Sequence, residues 1–335
     1  MAKNNEFNKN TRVIYVLKIK YSINIATLNE EKDILKNLDN IAKWKRNDFE
    51  VNIIDGDSKD NTLKLILDRN YKFNLRIFVN KGTGDLNTDR NIGIDIARGE
   101  FVAIITADTV LPVNYLEKMD EYVAQGYDMM LPVDATPSNT NYWGGAWNYA
   151  EHHYLYDSTA GTDKFLWAEG TMLRTEIARK IKFPYINKNA SGEDGWFGKK
   201  IFDSGAKIAW TTGTGVSHIA PSSFPEFWSQ RKARSRGTVF MQYYVYHWSK
   251  SKVVFSALLR MTANLAMFLL QFPSLITTWK FFQKAHERSL KVFAWLFYAN
   301  QVDLLGRFWG KKEGIQAILK QTQDYRPEPK VVQVK

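Results

Sequence analysis

The strongest constraint on the fold is an alternation of strand and helix signals, recurring at roughly 25-residue spacing over residues 20–106. Residues 20–28 alternate around an apolar centre and stop at Asn29-Glu30, which predicts a strand running into a helix. Residues 33–44 then carry Ile34, Leu35, Leu38 and Ile41 at helical spacing. A second strand over 50–54 ends in Asp55-Gly56-Asp57-Ser58, and 60–67 opens a second helix. Residues 75–79 read as a third strand, 89–97 as a helix, and 101–105 as an apolar strand ending at Thr106-Ala107-Asp108. This order implies βαβ units, and hence an α/β fold with a mostly parallel central sheet flanked by helices. Ligands of such sheets bind beyond the carboxyl ends of the strands. Three of those ends carry acidic residues: Glu30, Asp55 with Asp57, and Asp108.

Each acidic position has a chemical and a local structural reading. Asp108 is a hard oxygen donor suited to Mg²⁺ or Mn²⁺, and it equally suits a turn or a helix cap. Asp55 and Asp57 can accept hydrogen bonds from a nucleobase or ribose, whereas Asp57 or Ser58 can instead close the next helix. Glu193-Asp194 follows the polar loop 187–192 and begins a helix, so one carboxylate can enter a cleft while the other caps or orients. His218 lies just beyond the last predicted strand, 207–210, and can ligate a metal or pair with a carboxylate. Gln230 and Arg234 fall one helical turn apart in a run that also holds Arg231 and Arg236. Arginines of that kind clamp diphosphates bidentately, or form a solvated basic face.

Taken in order, these features resemble the family-2 glycosyltransferases, whose nucleotide-sugar-binding fold, GT-A, is built on a Rossmann-like sheet. Asn29-Glu30 is similar to the family's Pro-x-Tyr-Asn-Glu opening, with Ala26 and Leu28 in place of Pro and Tyr. Residues 54–62 resemble its Val-Asp-Asp-Gly-Ser-x-Asp-Gly-Thr segment, and Asp89-Arg90-Asn91-Ile92-Gly93 its Ala-Arg-Asn-x-Gly. The Asp-x-Asp of the family appears as Thr106-Ala107-Asp108, lacking the first carboxylate. Gln230 to Arg234 is one residue longer than the Gln-x-x-Arg-Trp element, with Ser235 where Trp would stand, which does not favour a processive synthase.

The resemblance implies an inverting hexosyltransferase. Asp194 would be the general base and Glu193 its orienter. A nucleotide-sugar donor, UDP- or GDP-linked, would meet Thr27, Asn29, Glu30, Asp55, Asp57, Asp89, Arg90, Asn91, Ala107, Gln230, Arg234 and Arg236. A divalent cation, Mn²⁺ or Mg²⁺, would sit at Asp108 and His218, supplemented by water where Thr106 removes a ligand. The acceptor would meet Trp167, Glu169 and Gly170, with Trp143 and Trp147 as further sugar-stacking candidates in the aromatic segment 132–170, which resists assignment to helix or strand.

Charge divides the chain. Residues 1–225 hold 28 Lys/Arg and 29 Asp/Glu, whereas 226–335 hold 18 and 6. The expected organisation is therefore a polar tail over 1–18, a catalytic domain over 19–225, and a basic, aromatic helical extension over 226–335. Residues 261–279 carry no charge, which meets the length of a membrane span. The segment is interrupted by Asn264, Gln271 and Pro273 and followed by an amphipathic stretch over 290–309. This favours helices lying on an anionic membrane surface over a single span at 261–279. The expected location is peripheral or monotopic, on the cytoplasmic face, beside a lipid-linked or glycan acceptor. The polar segment 1–11 lacks the apolar region of a secretory signal. With no cysteine, disulfides, thiolate metal sites and a Cys nucleophile are excluded. Two rivals are weaker. A nucleotidyltransferase would show a Gly-rich loop near the first strand, and residues 25–31 have none. A non-enzymatic, basic membrane-surface or nucleic-acid-binding protein using the last third would leave the acidic strand ends without purpose, and no nucleic-acid motif is present, so no nucleic-acid partner is expected.

Overall fold

The computed structural model describes residues 18–81, 85–137, 142–159, 161–164, 166–167, 169–186, 191–320 and 329–335. Nearly all of the expected polar tail lies outside them. In chain order the first half comprises β1 (Tyr21–Thr27), α1 (Ile34–Ile41), β2 (Phe49–Asp55), α2 (Thr62–Leu67), β3 (Asn74–Asn80), α3 (Leu86–Ile96), β4 (Phe101–Thr106), β5 (Thr109–Val110), α4 (Tyr115–Val123), β6 (Met129–Pro132) and β7 (Thr136–Pro137). A π-helical turn, Tyr142–Ala146, leads into α5 (Trp147–Thr159). Then come β8 (Met172–Arg174), α6 (Thr175–Ile181), α7 (Glu193–Asp203), β9 (Ile208–Thr211) and β10 (Ser217–His218). The last third holds α8 (Phe224–Phe240), α9 (Lys250–Leu270), α10 (Phe272–Phe282), α11 (Leu290–Lys320) and β11 (Val331–Gln333).

The main sheet runs β11-β3-β2-β1-β4-β8-β6-β9. β3, β2, β1 and β4 are mutually parallel, while β8 is antiparallel to both β4 and β6. The chain winds outward from β1 through β2 to β3, then crosses back to place β4 on the other side of β1. Loops beyond β1 and β4 therefore diverge, which opens a crevice at that switch point. A small sheet, β5-β10-β7, closes one wall, with His218 opposite Thr109 in its register. The β1, β2 and β4 strands are buried on both faces, as expected for a sheet covered by helices. Helix α3 starts before its apolar period because Asp85 caps it, accepting from the Thr88 amide at 2.9 Å.

Within the aromatic segment that resists assignment in the sequence, Trp147–Thr159 folds as α5, and Trp147 is 1% exposed. Trp147 meets Phe227 of α8 and Phe281 of α10 edge-on, and Trp143 packs among Phe227, Trp295 and Tyr298. These two tryptophans join α5 to the C-terminal helices, so the expectation that they stack on sugars is corrected. The C-terminal region is also not a free appendage. Gly306, Gly310 and Gly314, one helical turn apart on α11, lie against Arg231, Lys232 and Val239 of α8. A Cβ at Gly310 would fall 2.2 Å from the Lys232 carbonyl oxygen, so only glycine permits this approach. Beyond α11 the chain returns to the catalytic sheet, where β11 pairs antiparallel with β3.

The uncharged run 261–279 is not one helix. Gln271, with φ of 58°, ends α9, and Pro273 stands in the first turn of α10. Among the described residues, the helix long and apolar enough to cross a membrane is instead α9.

Candidate active site

Beyond β1 and β2 two loops are laced together. Asn29 adopts a left-handed φ of 58°, donates its amide to Ser58 Oγ at 2.8 Å and accepts the Lys59 amide at 2.8 Å. Asp55 is fully buried and accepts both the amide and the hydroxyl of Ser58, at 2.8 and 2.6 Å. Its carboxylate thus closes a turn, while Asp57, with φ of 72°, pairs with Lys59 and remains one-third exposed. Thr27 is buried, and its Oγ1 has no partner among the described residues. Asp89 lies under this loop, accepting from Asn80 Nδ2 at 2.6 Å, and burial pushes its carboxyl up to about 7. Burial and then the charge of Asp108 push the Glu30 carboxyl to about 7 as well, so Glu30 and Asp108 face the same crevice.

On the far side of the crevice, Asp108 accepts from the Thr106 hydroxyl, and its carbonyl receives the Ile219 amide at 3.0 Å. The residue standing in place of the absent carboxylate therefore orients the one that remains. Glu169 accepts from Thr109 Oγ1 at 2.8 Å, and burial and Asp108 raise its carboxyl. His218 Nδ1 is buried without a partner among the described residues. Among the described residues, no three His, Asp or Glu side chains converge with metal-ligand spacing.

Helix α7 supplies the third wall. Gly192, with φ of 101°, turns the chain into it. Glu193 is 6% exposed and receives Arg90 Nη1 at 2.8 Å, tying α7 to α3. Burial and the neighbouring Asp194 raise the Glu193 carboxyl, with Arg90 opposing. Asp194 instead lines a cavity of about 380 Å³, together with Trp167, Glu169, His218 and Arg234.

Several expected donor contacts have other partners. Asn91 uses both amide atoms on the Phe183 backbone, at 3.0 and 2.8 Å. Arg90 is held by Glu193. Ala107 turns its methyl into the main core, leaving only its backbone for a ligand. Gln230 Oε1 accepts from Arg231 Nη2 at 2.6 Å, and Arg236 pairs with Glu313 of α11 at 3.1 Å. Gly170 serves the fold, because a Cβ there would meet Val216 at 2.9 Å and its φ is 74°. Trp167 is 9% exposed and packs edge-on against Phe183 and Phe197 while bordering the cavity.

The sequence reading missed Asn148, Glu151 and His152 of α5, which also line the cavity. Glu151 receives Arg231 at 2.9 Å and Arg234 at 3.1 Å. Although burial opposes ionisation, Arg231, Arg234 and Arg307 hold its carboxyl at about 2. Burial lowers His152 to about 4, so its ring is neutral at physiological pH, with Nε2 on the Val133 carbonyl at 2.7 Å. Nothing in the spacing of residues 142–159 marks a helix, and so nothing marks which side chains share its cleft face.

A parallel sheet with its crevice at the β1–β4 switch, mixed beyond β4 and lined by carboxylates, has the fold of the GT-A glycosyltransferases. The Staphylococcus aureus TarS fragment 1–349, solved in complex with UDP-GlcNAc, aligns with a TM-score of 0.52 at 18% identity, covering 89% of this chain and 92% of that one. The mannosyltransferase PcManGT from Pyrobaculum calidifontis, solved in complex with GDP-Man and Mn²⁺, aligns with a TM-score of 0.56 at 17% identity, covering 85% and 87%. Residues 22–182 match the family described as Glycosyl transferase family 2, so this stretch is similar to that family. The poly(ribitol-phosphate) beta-N-acetylglucosaminyltransferase TarS of S. aureus is 28% identical over 116 residues, 34% of this chain and 20% of that protein. The PGL/p-HBAD biosynthesis glycosyltransferase of Mycobacterium tuberculosis is 30% identical over 132 residues, 38% of this chain and 52% of that protein. The match thus spans from a fifth to about half the length of these curated relatives.

Proposed function

We propose that this glycosyltransferase is inverting and transfers a hexose from a UDP- or GDP-linked sugar to a hydroxyl or phosphate of a lipid-linked or glycan acceptor. The observation that carries the reading is the placement of Asp194 and His218 on one cavity, with His218 in register beside the Asp108 loop. Asp194 takes the proton of the acceptor hydroxyl as that oxygen attacks the anomeric carbon from the face opposite the leaving group. Glu193, neutralised by Arg90, fixes the first turn of α7 and so the position of Asp194. Arg234, half exposed at the cavity rim, offers its remaining donors to the departing diphosphate. Neighbours of the same fold support the donor class, one having been solved with UDP-GlcNAc and another with GDP-Man.

The chemistry of the site fits a divalent cation. Asp108 offers a hard oxygen, and His218 Nδ1 is a buried nitrogen without a partner among the described residues. Two protein donors suit Mg²⁺ or Mn²⁺ when phosphate oxygens and water complete the shell. When bound there, the ion would neutralise charge on the leaving nucleoside diphosphate.

Support for a membrane-surface location comes from α9 and α10. Only 22% of the most apolar window of α9 is buried. Phe255, Leu259, Leu269, Leu270 and Phe272 are each more than 60% exposed, and Lys250, Lys252, Lys280 and Lys284 flank them. That pairing suits helices lying in an anionic interface.

Release of UDP or GDP from a panel of nucleotide sugars, with and without Mn²⁺, tests the enzyme reading. Turnover that stops with EDTA and returns with the metal is expected. Sustained turnover under chelation would remove the metal from Asp108 and His218, and no release from any donor would sink the proposal.

A further inference from the structure

Helices α8, α9 and α11 enclose a second cavity, of about 320 Å³. Glu151 and Arg234 line both this cavity and the one holding Asp194, so their ion pair stands between the two. Among the described residues, none from the loops beyond β1, β2 or β4 lines it, and Arg234 is what it shares with the proposed donor contacts.

The charges on its wall do not balance. Two carboxylates, Glu151 and Asp303, are matched by Arg231, Arg234 and Arg307 at 2.7–3.8 Å. Two more cations remain. Arg260 of α9 is exposed and has no hydrogen-bond or ion-pair partner among the described residues. Lys311 of α11 is 6% exposed, and among the described residues its ammonium donates only to Ser235 Oγ, at 2.8 Å. Burial, with the charges of Arg307 and Arg260, pushes Lys311 down to about 8, as happens where positive charge is uncompensated. A further donor completes the set. Asn264 is 7% exposed and lines the cavity, and its Nδ2 has no hydrogen-bond partner among the described residues. A buried amide left unpaired is costly and marks a place for an acceptor atom.

We propose that this cavity binds a phosphate or phosphodiester group of the acceptor, held by Arg260, Lys311 and the Asn264 amide, a step that rests on the glycosyltransferase reading above. Three donors and an excess of cationic charge suit a phosphate, which offers several anionic oxygens to one site. The group has two sources. Arg260 adjoins Leu258 and Leu259 on the exposed apolar part of α9, so a lipid phosphate would enter from the membrane side. A soluble or polymeric phosphodiester would enter from the catalytic cavity.

The test uses the full chain, with Arg260→Gln and Lys311→Gln as variants. Arg260 is exposed and unpaired, so its variant folds even where Lys311→Gln does not. The probes are glycerol 3-phosphate by calorimetry and vesicles of phosphatidic acid in phosphatidylcholine, against phosphatidylcholine alone, by co-sedimentation. Each variant should weaken glycerol 3-phosphate binding about tenfold, the effect of losing one charged hydrogen bond, and leave UDP- or GDP-sugar binding unchanged. A parallel loss on phosphatidic acid vesicles assigns the phosphate to a lipid, and a response confined to glycerol 3-phosphate assigns it to a soluble or polymeric acceptor. Equal binding of both probes by wild type and variants would overturn the site. Nucleotide-sugar binding is read in the same samples, so its absence in the wild type would count against the transferase reading and leave the anion site standing.

Discussion

Arg90 Nη1 donates to Glu193 Oε1 at 2.8 Å, with each side chain at least nine-tenths buried, so α3 beneath the donor loops is bonded to the first turn of α7. Removing one partner strands a buried charge, whereas removing both does not. Arg90→Met should therefore cost about 3–5 kcal/mol in urea unfolding. The Arg90→Met/Glu193→Gln double variant should recover at least half of that loss, and additive losses would deny the coupling.

Asp194, unlike Glu193, borders the cavity, and among the described residues its Oδ1 accepts only the next amide, that of Gly195, at 2.7 Å. Asp194→Asn keeps the shape and removes the base. Transfer should fall by about 10²–10⁴-fold with donor affinity by calorimetry unchanged. Activity close to wild type would assign the proton to another group.

Glu151 links pH to stability. Its carboxyl is held at about 2 against an ordinary 4.5, so the unfolded chain binds the proton more readily. The stabilisation is complete above pH 4.5 and is lost as pH falls towards 2. Glu151→Gln leaves Arg231, 1% exposed, without its nearest carboxylate and should cost about 3–5 kcal/mol at pH 7. In melting curves the gap between wild type and variant should narrow as pH drops below 4.5.

At Gly310, α8 and α11 touch backbone to backbone. Gly310→Ala places a methyl 2.2 Å from the Lys232 carbonyl oxygen, an overpacking that should cost about 1–3 kcal/mol. A lowered melting temperature is the readout, and an unchanged one would mean that the helices can part freely.

Leu259 and Phe272 are 63% and 69% exposed, so acidic substitutions there spare the core. Leu259→Glu/Phe272→Glu should release the protein from anionic vesicles while its melting temperature stays within a degree or two, as usual for surface changes. Unaltered recovery with the vesicles would rule out docking through this face.

Much of the catalytic half is legible in the chain because its signals are local. The apolar runs 20–28, 50–54 and 101–105 stand within a residue or so of β1, β2 and β4, since β-strand pattern and turn chemistry act over a few residues. The same locality placed Asp108 and Asp194 at the ends of their elements. It did not reveal which carboxylate is free. Asp55 closes a turn and Glu193 meets Arg90 across 103 residues, which sequence adjacency to Asp57 and Asp194 hides.

By itself the sequence determined the parallel α/β sheet, the acidic strand ends and the charge asymmetry between the two parts of the chain, because each follows from residue type and short-range period. Tertiary structure alone decided that Trp147 is core with Trp143 packed against it, that Gln230 and Arg236 turn to other partners, that β11 rejoins the sheet, and that Arg260, Asn264 and Lys311 share one cavity. The reason is that burial and ion pairing are properties of surfaces brought together from distant segments. A chain position carries a residue's chemistry, and only packing assigns its partner.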